Sequence, residues 1–474
     1  MVFSSPVFLF LFLPVTLALY GAAGLSRNMR VKNTVLLLCS ICFYAYGGVA
    51  YLGLLFLSIL VNWGAGLWMS GLEGRKRTVL FVAGLVYNIG ILVIFKYLNL
   101  FDETAAWLLG LVTKSPVEPS LPAIALPIGI SFFTFQIMSY FIDVYRKQVP
   151  CQKNLADLAL YVMLFPQLIA GPIVRYSDVE REIGERKTRL EDVYEGVFRF
   201  MVGFIKKILL ANTVGKAADL AFVLEPGIGM IYAWVGVICY GLQVYLDFWA
   251  YSDMAIGLGR IFGFHFLENF RDPYISKSIS EFWRRWHISL STWFRDYVYI
   301  PLGGSRVGLL RNCLNFLVVF ALTGIWHGAS WNFLLWGLYF ALFLILEKVG
   351  LKRLLEKLPS FLRHVYVLFV VGIGWVLFRA DTMGAAVGFV KDMFSFTLMG
   401  THERELAELL CGGKFLLLFT VSVLFCTPFF TKLHEKLEEK RLGAVGDGVV
   451  IVVFVLAVCE MMAGGYNPFI YFRF

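Results

Sequence analysis

Apolar runs of about 20 residues recur from one end of this 474-residue chain to the other, and short polar loops separate them. A helix needs about 20 apolar residues to cross the core of a bilayer. The pattern therefore predicts an all-α polytopic membrane protein in which residues 1–474 form a single integral-membrane domain. We expect about twelve crossings and no soluble domain of substantial size.

The lysines and arginines predict how the chain is threaded through the membrane. Basic loops lie on the cytoplasmic side of polytopic proteins, and the strongly basic loops of this chain all fall on one side of the predicted spans. This threading places both termini outside the cytoplasm, an interfacial region at about residues 260–311 inside, and the tail 464–474 outside. Residues 2–23 resemble a signal peptide, but their positive charges follow the apolar run, which predicts a retained span.

Composition and charge support this class of protein. Hydrophobic residues make up 59% of the chain and charged residues 16%, with a mean hydropathy of +0.73, whereas soluble domains carry about 25% charged residues. The net charge of +9 is explained by cytoplasmic loops, so no nucleic-acid partner is expected. The six histidines are scattered singly without metal-ligand spacing, and no metal site is predicted.

Residues 155–173 are apolar but irregular. Their sequence is interrupted by Phe165-Pro166-Gln167 and again by Gly171-Pro172. Within a bilayer, irregular backbone is tolerated only where protein or a water-filled cavity satisfies it. This stretch is therefore predicted to be a re-entrant or interfacial element.

Residues 279–297 carry apolar side chains at spacings of three and four, which predicts one amphipathic helix. The apolar stripe consists of Phe282, Trp286, Leu290, Trp293 and Tyr297. Such a helix lies in the plane of the membrane interface, with its rings in the acyl boundary and its charges towards water. One interpretation is a surface anchor alone.

The other interpretation is a binding site on the same helix. Arg284, Arg285 and Arg295 are candidates for holding an anionic cytoplasmic donor, because guanidinium groups match phosphate geometry. His287 lies in the same segment, beside Trp283. The pattern leaves open whether this histidine is structural or functional.

His327 is placed differently. It ends an apolar span and is followed by Gly328-Ala329-Ser330, so the helix breaks where a histidine is present. A buried imidazole stays neutral in a low-dielectric site, and a neutral imidazole can accept a proton as a general base. The alternative is a packing histidine that donates to a backbone carbonyl.

Several short motifs resemble one family of membrane enzymes. They are MVFSS at residues 1–5, LPIGISF at 126–132, LFPQLIAGP at 164–172, YSDMAIG at 251–257, residues 281–302, GIWHG at 324–328 and NPFIYFRF at 467–474. Together these motifs are spread over nearly the whole chain. On them, the chain is identified as resembling the membrane-bound O-acyltransferases, closest to the alginate O-acetyltransferase branch.

The resemblance implies a ring of tilted transmembrane helices around a central funnel, with re-entrant and interfacial helices. An acyl thioester enters from the cytoplasm, and the acyl group leaves on the outer side. In that family pattern His327 corresponds to the general base and His287 to a support or donor-side contact. The charge-based threading places His327 nearer the outer face than a site in the middle of the membrane would be.

The tail offers a second candidate for chemistry. Phe469, Tyr471 and Phe474 follow the last predicted span and are external in this topology. Aromatic residues often form a belt at the membrane surface. Alternatively, Tyr471 carries the acetyl group transiently, since a phenol accepts an acyl group when a base removes its proton.

The resemblance implies a transmembrane O-acetyltransferase in the bacterial cytoplasmic membrane. Its donor would be acetyl-CoA or an acyl carrier, with no permanently bound cofactor, and its acceptor an extracytoplasmic polysaccharide such as alginate or peptidoglycan. A separate esterase-like transferase with a Ser-His-Asp site is expected outside, and membrane lipid surrounds the chain. The alternatives are transfer of D-alanine to teichoic acid, or a polysaccharide transporter that cleaves no thioester.

Overall fold

A computed structural model describes residues 1–26, 28–223, 227–398, 404–440 and 442–468. Within these ranges all regular secondary structure is helical, and no strand is present. The prediction of an all-α protein is therefore confirmed. Tyr471 and the other aromatic residues of the tail lie outside the described residues, so the acetyl-carrier role stays a prediction.

The chain divides into two compact units, which are described separately. The first unit comprises Met1–Val193, Gly259–Phe266 and Gly328–Ser330. The second comprises Tyr194–Leu258, Leu267–His327 and Trp331–Phe474.

The first unit is built around a buried central helix. Its helical segments are Phe8–Phe12, Leu13–Leu25, Met29–Gly48, Val49–Tyr51, Leu52–Ser70, Gly74–Leu92, Val93–Tyr97, Leu98–Thr113, Ile130–Tyr145, Leu155–Met163, Phe165–Leu168 and Tyr176–Gly184. Ile130–Tyr145 is buried along nearly its whole length. The predicted break in residues 155–173 is confirmed, because helix stops at Leu164 and restarts at Phe165. The Gln167 side chain then donates to the Tyr161 carbonyl, which satisfies part of the irregular backbone.

The second unit contains the remaining helices and an aromatic core. Its segments are Leu190–Ile205, which begins in the first unit, Lys206–Ala211, Asn212–Val223, Met230–Ile261, Pro273–Ile275, Ile279–Arg285, Ile288–Phe294, Arg295–Tyr299, Leu309–His327, Trp331–Leu346, Glu347–Leu351, Lys352–Leu355, Ser360–Arg379, Met383–Met393, Arg404–Cys411, Gly413–Phe425, Phe429–Glu439 and Gly443–Met462. Buried aromatic side chains from several of these helices pack against one another in edge-to-face or tilted arrangements. They include Tyr245, Trp283, Trp286, Trp336, Phe340, Trp375 and Phe378.

Eight helical segments of the described chain are long and apolar enough to cross a membrane, or nine if the bent pair Arg404–Cys411 and Gly413–Phe425 counts as one span. The prediction of a polytopic membrane protein is confirmed. Two of the segments, Met29–Ser70 and Gly74–Thr113, contain 42 and 40 residues, about twice the length that one crossing requires. The count of about twelve crossings, their orientation, and a ring around a funnel stay predictions.

The prediction of one continuous amphipathic helix over residues 279–297 is wrong. The segment forms two short helices, Ile279–Arg285 and Ile288–Phe294, which are separated at Trp286 and His287. The backbone of His287 has φ +43°, a left-handed conformation that ends the first helix and redirects the chain.

The apolar stripe of this segment is also placed differently from the prediction. Phe282, Trp286, Leu290 and Trp293 are buried inside the second unit instead of facing lipid. Trp286 packs against Phe282 and Trp375 with ring centroids 5.5 and 4.9 Å away. The stripe therefore forms part of the protein core, and the placement of the segment in the membrane interface stays a prediction.

A glycine pair brings two long helices of the second unit together. A Cβ atom at Gly324 would overlap the carbonyl group of Phe333, and one at Gly337 would overlap that of Phe320. Small residues allow this close approach of helix backbones in membrane proteins. The crossing fixes Leu309–His327 against Trp331–Leu346 three residues before His327.

Candidate functional site

The first of the two short helices is held at its amino end by a buried carboxylate. Glu347 is 3% exposed and accepts from the backbone nitrogens of Ile279, at 2.6 Å, and Ser280, at 2.9 Å. The Ser280 hydroxyl also donates to it at 2.6 Å. Because helix N-termini favour negative charge, this contact fixes where the helix starts. By fixing the start of this helix, the contact also helps to set the position of His287, which follows the helix end at Arg285.

His287 is completely enclosed by aromatic and polar neighbours. It is 1% exposed, and the edge of its ring meets Phe248 with centroids 4.5 Å apart. Its Nδ1 lies 3.1 Å from Oδ1 of Asn269, whereas its Nε2 is buried with no hydrogen-bond partner among the described residues. Burial, reinforced by the nearby His327, holds the pKa of His287 well below its ordinary value. The ring is therefore neutral at pH 7.

His327 is the last residue of the Leu309–His327 helix, as the helix break in the sequence predicts. The residue is half-buried. Its imidazole meets Trp326, Trp336 and Phe378 nearly edge to face, with centroids 5.0, 5.1 and 5.3 Å away. Aromatic walls of this kind exclude water and lower the local dielectric constant.

Trp326 connects the two candidate histidines. Its ring centroid is 5.0 Å from that of His327 and 5.9 Å from that of His287. The sequence separates these histidines by 40 positions, and the fold brings both against one indole. A neutral imidazole in a partly dry site, such as that of His287, can accept or relay a proton.

A cavity of about 500 Å³ adjoins this cluster. It is lined by both short helices and by Leu309–His327, and its polar lining includes Arg284, His287 and Arg295. Most of the remaining lining is apolar or aromatic. Its volume falls within the range of small-molecule sites, which are typically about 300–1,000 Å³.

The three candidate arginines are placed differently from one another. Arg284 is exposed, lines the cavity and has no ion-pair partner in the part of the chain that the structure describes. Arg295 also lines the cavity, but its Nε donates to Asp296 at 2.7 Å. Arg285 does not line it and pairs with Glu281 at 2.9 Å. Arg284 is therefore the arginine best placed to meet an anionic ligand.

The described part of the tail is attached to the segment that follows Ile205. Lys207 donates to the carbonyl of Pro468, and Tyr466 donates to Asp219. These contacts hold the chain immediately before the aromatic tail residues. Elsewhere, no group of three His, Cys, Asp or Glu in the described ranges is arranged to hold a metal ion.

The sequence analysis did not identify Asn269 and Glu347. Glu347 binds the start of the first short helix, and Asn269 binds His287 just after the end of that helix. Asn269 stands in an irregular stretch without periodicity, and Glu347 lies at the end of an apolar run, where a charge usually marks a solvated boundary. The one available signal for Glu347 was a carboxylate directly after the apolar run Trp331–Leu346, at the end of a predicted span. Asn269 gave no comparable signal.

Comparisons with known proteins identify relatives along the whole chain. Residues 146–377 match the model of the membrane-bound O-acyltransferase family. A probable alginate O-acetylase of Pseudomonas putida is 38% identical over 100% of both chains. A probable alginate O-acetylase of Pseudomonas aeruginosa is 42% identical over 95% of this chain and 86% of its own. The peptidoglycan O-acetyltransferase of Helicobacter pylori is 32% identical over 83% and 80%.

Proposed function

The chain belongs to the membrane-bound O-acyltransferase family, and from that premise we propose that it passes acetyl groups from cytoplasmic acetyl-CoA outward for O-acetylation of an extracytoplasmic polysaccharide. The names of the relatives support acetyl as the group, and alginate, a similar exopolysaccharide or peptidoglycan as the acceptor. The observation that carries the proposal is the indole of Trp326 contacting both His287 and His327, next to a cavity lined by Arg284, which has no ion-pair partner among the described residues.

His327 acts as the general base in the proposed reaction. It accepts the proton of an attacking hydroxyl as the oxygen–carbon bond to the acetyl group forms. The carbon–sulfur bond of the thioester then breaks, and the thiolate of coenzyme A takes the proton back from the imidazolium. The aromatic surroundings of His327 support the first of these proton transfers, because they exclude competing water. His287 supports the reaction from the donor side.

The donor is proposed to bind in the 500 Å³ cavity, with its phosphates near Arg284 and Arg295. Arg284 supports this placement because no carboxylate competes for its guanidinium among the described residues. Charge-assisted hydrogen bonds to phosphate are about twice as strong as neutral ones. Arg285 is not part of the proposed donor site, because its side chain does not line the cavity and its guanidinium pairs with Glu281.

Replacing Arg284 with alanine should raise KM for acetyl-CoA by about 3- to 10-fold and change kcat little, because the lost contact is to a remote part of the donor. Initial rates of thiol release from acetyl-CoA at varied concentration measure this. Arg285→Ala is the matched control, since that side chain is adjacent in sequence but pairs with Glu281. Equal increases of KM in both variants would contradict a specific donor contact at Arg284.

The protein is proposed to lie in the bacterial cytoplasmic membrane, with both termini outside. Its Arg- and Lys-rich loops would then face the cytoplasm, where acetyl-CoA is made. A separate extracytoplasmic transferase with an esterase-like Ser-His-Asp site would place acetyl on the polymer. That partner is invoked because this chain is occupied by membrane helices and carries no soluble polymer-binding domain in its described part.

Tyr471 is proposed to accept the acetyl group from the thioester near His327 and to pass it to the extracytoplasmic transferase. Tyr471→Phe keeps the aromatic ring but removes the nucleophilic oxygen, so polymer acetylation should fall to background. Acetylation of the polymer is measured in cells that express each variant at equal abundance. Phe469→Tyr, a change of similar size two positions earlier, serves as the control and should retain activity. Full activity of Tyr471→Phe would leave only the aromatic-belt interpretation.

A free-thiol assay with labelled acetyl-CoA tests the proposal as a whole. An acetyltransferase releases coenzyme A when acceptor is present, and labelled acetyl is recovered on the outer side. A polysaccharide transporter would move its substrate without cleaving a thioester. A D-alanine transferase would cleave the thioester of an aminoacyl carrier and leave acetyl-CoA intact.

A further inference from the structure

Asn269 is the most heavily hydrogen-bonded residue next to the site. It is fully buried, at 0% exposed, in an irregular stretch between Met230–Ile261 and the first short helix. Its Oδ1 lies 3.1 Å from Nδ1 of His287 and accepts from the backbone nitrogen and hydroxyl of Ser289, at 3.3 and 2.9 Å. Its Nδ2 donates to Oγ of Ser252 at 3.0 Å, and its backbone oxygen accepts from Ile288 at 2.9 Å.

These contacts determine which nitrogen of His287 carries the hydrogen. A backbone N–H can only donate, so the amide atom that faces Ser289 is the oxygen of Asn269. The Ser289 hydroxyl also lies 3.5 Å from Nδ1 of His287, but it donates to the Asn269 oxygen at the shorter distance of 2.9 Å. An amide oxygen can only accept, so Nδ1 of His287 donates to it as well. In a neutral imidazole with hydrogen on Nδ1, Nε2 is an acceptor. That Nε2 is the ring nitrogen without a hydrogen-bond partner in the described structure.

We propose that Asn269 is a positioning residue that holds His287 as the neutral tautomer protonated on Nδ1, so that Nε2 is kept as a hydrogen-bond acceptor for the reacting groups. Ser252 holds the other end of the amide, which prevents its rotation. The inference rests on the proposed function for the identity of those reacting groups. It also gives the motif at residues 251–257 a physical role, since Ser252 belongs to it.

Residue 269 carries an amide and not a carboxylate, and this difference affects the charge of His287. A carboxylate in the place of Asn269 would favour imidazolium, which carries a hydrogen on both nitrogens and accepts nothing. The ring contacts of His287 from neighbouring elements are Phe248, Phe270 and Trp326, all uncharged.

The titratable and charged groups that face His287 come from other parts of the site. His327 is the nearby titratable group, and the cations that share the cavity are Arg284 and Arg295. Each of these groups is cationic when charged, and a nearby cation disfavours imidazolium at His287. A carboxylate introduced at position 269 is therefore the change that would charge this ring.

The tautomer can be tested directly by ¹⁵N spectroscopy of histidine-labelled protein in lipid vesicles, with His287→Gln used to assign the signals. We expect a pyridine-type Nε2 and a protonated Nδ1 for His287. A protonated Nε2 in the wild-type protein would overturn the proposal. This readout does not depend on any enzymatic activity.

Kinetics test the functional consequence. Asn269→Ala should lower kcat for thiol release by about 10- to 100-fold and leave KM within about 3-fold, since orienting partners of functional histidines have effects of this size. Asn269→Asp should fold with the same hydrogen-bond acceptor and raise the pKa of His287. Because activity needs the neutral ring, the acid limb of the pH–rate profile should move up by about one pH unit or more.

Asn315 supplies the matched control. It is 2% exposed, and its side chain donates to backbone oxygens of Leu302 and Gly304, away from both histidines. Asn315→Ala, compared with Asn269→Ala at equal abundance, should leave both kcat and the acid limb unchanged. If Asn269→Asp has the wild-type pH profile, or folded Asn269→Ala the wild-type kcat, the positioning role is refuted. If wild-type protein releases no thiol from acetyl-CoA, the proposed function fails while the ¹⁵N result still decides the tautomer.

Discussion

Replacing His327 with alanine should lower acetyl transfer from acetyl-CoA by about 100-fold or more, because general-base catalysis typically contributes about 10²–10⁴ to the rate. The rings of Trp326, Trp336 and Phe378 surround this residue, and by excluding water they would favour the proposed proton transfer. The loss should fall on kcat, since the base acts only as the new bond forms. Thiol release in purified membranes and acetyl content of the polymer both report it.

The variant must be separated from a protein that simply fails to fold. His327→Phe retains a ring between the same aromatic neighbours and should be equally inactive at normal abundance. His434→Ala is the control for loss of a histidine, because His434 is exposed on Phe429–Glu439 and stacks on Phe198 with centroids 6.2 Å apart. If an abundant His327→Ala protein reacts at the wild-type rate, His327 is not the general base, and His287 becomes the candidate for that role.

The helix break at His327 illustrates what the sequence could predict. A run of apolar residues of membrane length, followed by Gly328-Ala329-Ser330, leaves few alternatives for where the helix ends, and it ends at His327. The same kind of local information predicted the interruption after Met163. Both features depend on residues adjacent in the chain, which is why composition and spacing were sufficient.

The break at His287 could not be predicted in this way. Both short helices bury aromatic residues at helical spacing, so the apolar stripe continues through a point where the backbone turns to φ +43°. That turn is held by Asn269, 18 positions earlier, and the first helix is held by Glu347, 67 positions after Ser280. Contacts between residues so far apart leave no periodic signal in a single sequence.

The three candidate arginines were predicted only as a group for the same reason. Arg284, Arg285 and Arg295 have the same chemistry, and their separate placements follow from the carboxylates beside them. Glu281 lies four residues before Arg285, a spacing that favours an ion pair on one helix. That local pairing could have been used to set Arg285 apart from Arg284.

Asp253→Ala should have the largest effect on stability. Asp253 is 4% exposed and accepts from Lys206 at 2.6 Å and from Arg199 at 2.8 Å. The Lys206 side chain is 3% exposed and has its ammonium 3.0 Å from the centroid of Trp249. Removing one partner of a buried ion pair typically costs about 3–5 kcal/mol. We expect strongly reduced abundance in membranes and a lower thermal unfolding temperature in detergent.

The physical reason is specific to the lysine. Glu268 still pairs with Arg199 at 2.5 Å in the variant, but its carboxylate is 41% exposed and makes no ion pair with Lys206 in the described structure. Among the described residues, the ammonium of Lys206 then faces the rings of Trp249 and Phe425, whose centroids lie 3.0 and 5.4 Å away, and these contacts are weaker than one to a carboxylate. The loss of stability in Asp253→Ala should therefore come mainly from the ammonium of Lys206, which has lost its carboxylate. Removing that charge should restore most of the stability.

The double variant Asp253→Leu with Lys206→Met provides that comparison. Replacing a buried ion pair by apolar residues of similar volume is often neutral or stabilising, so this variant should recover most of the abundance and unfolding temperature. Glu460→Ala is the control for an exposed pair, since Lys414 and Glu460 are 64% and 44% exposed and such pairs contribute about 0–1 kcal/mol. A double variant as unstable as Asp253→Ala would show that Asp253 acts through something other than the charge of Lys206.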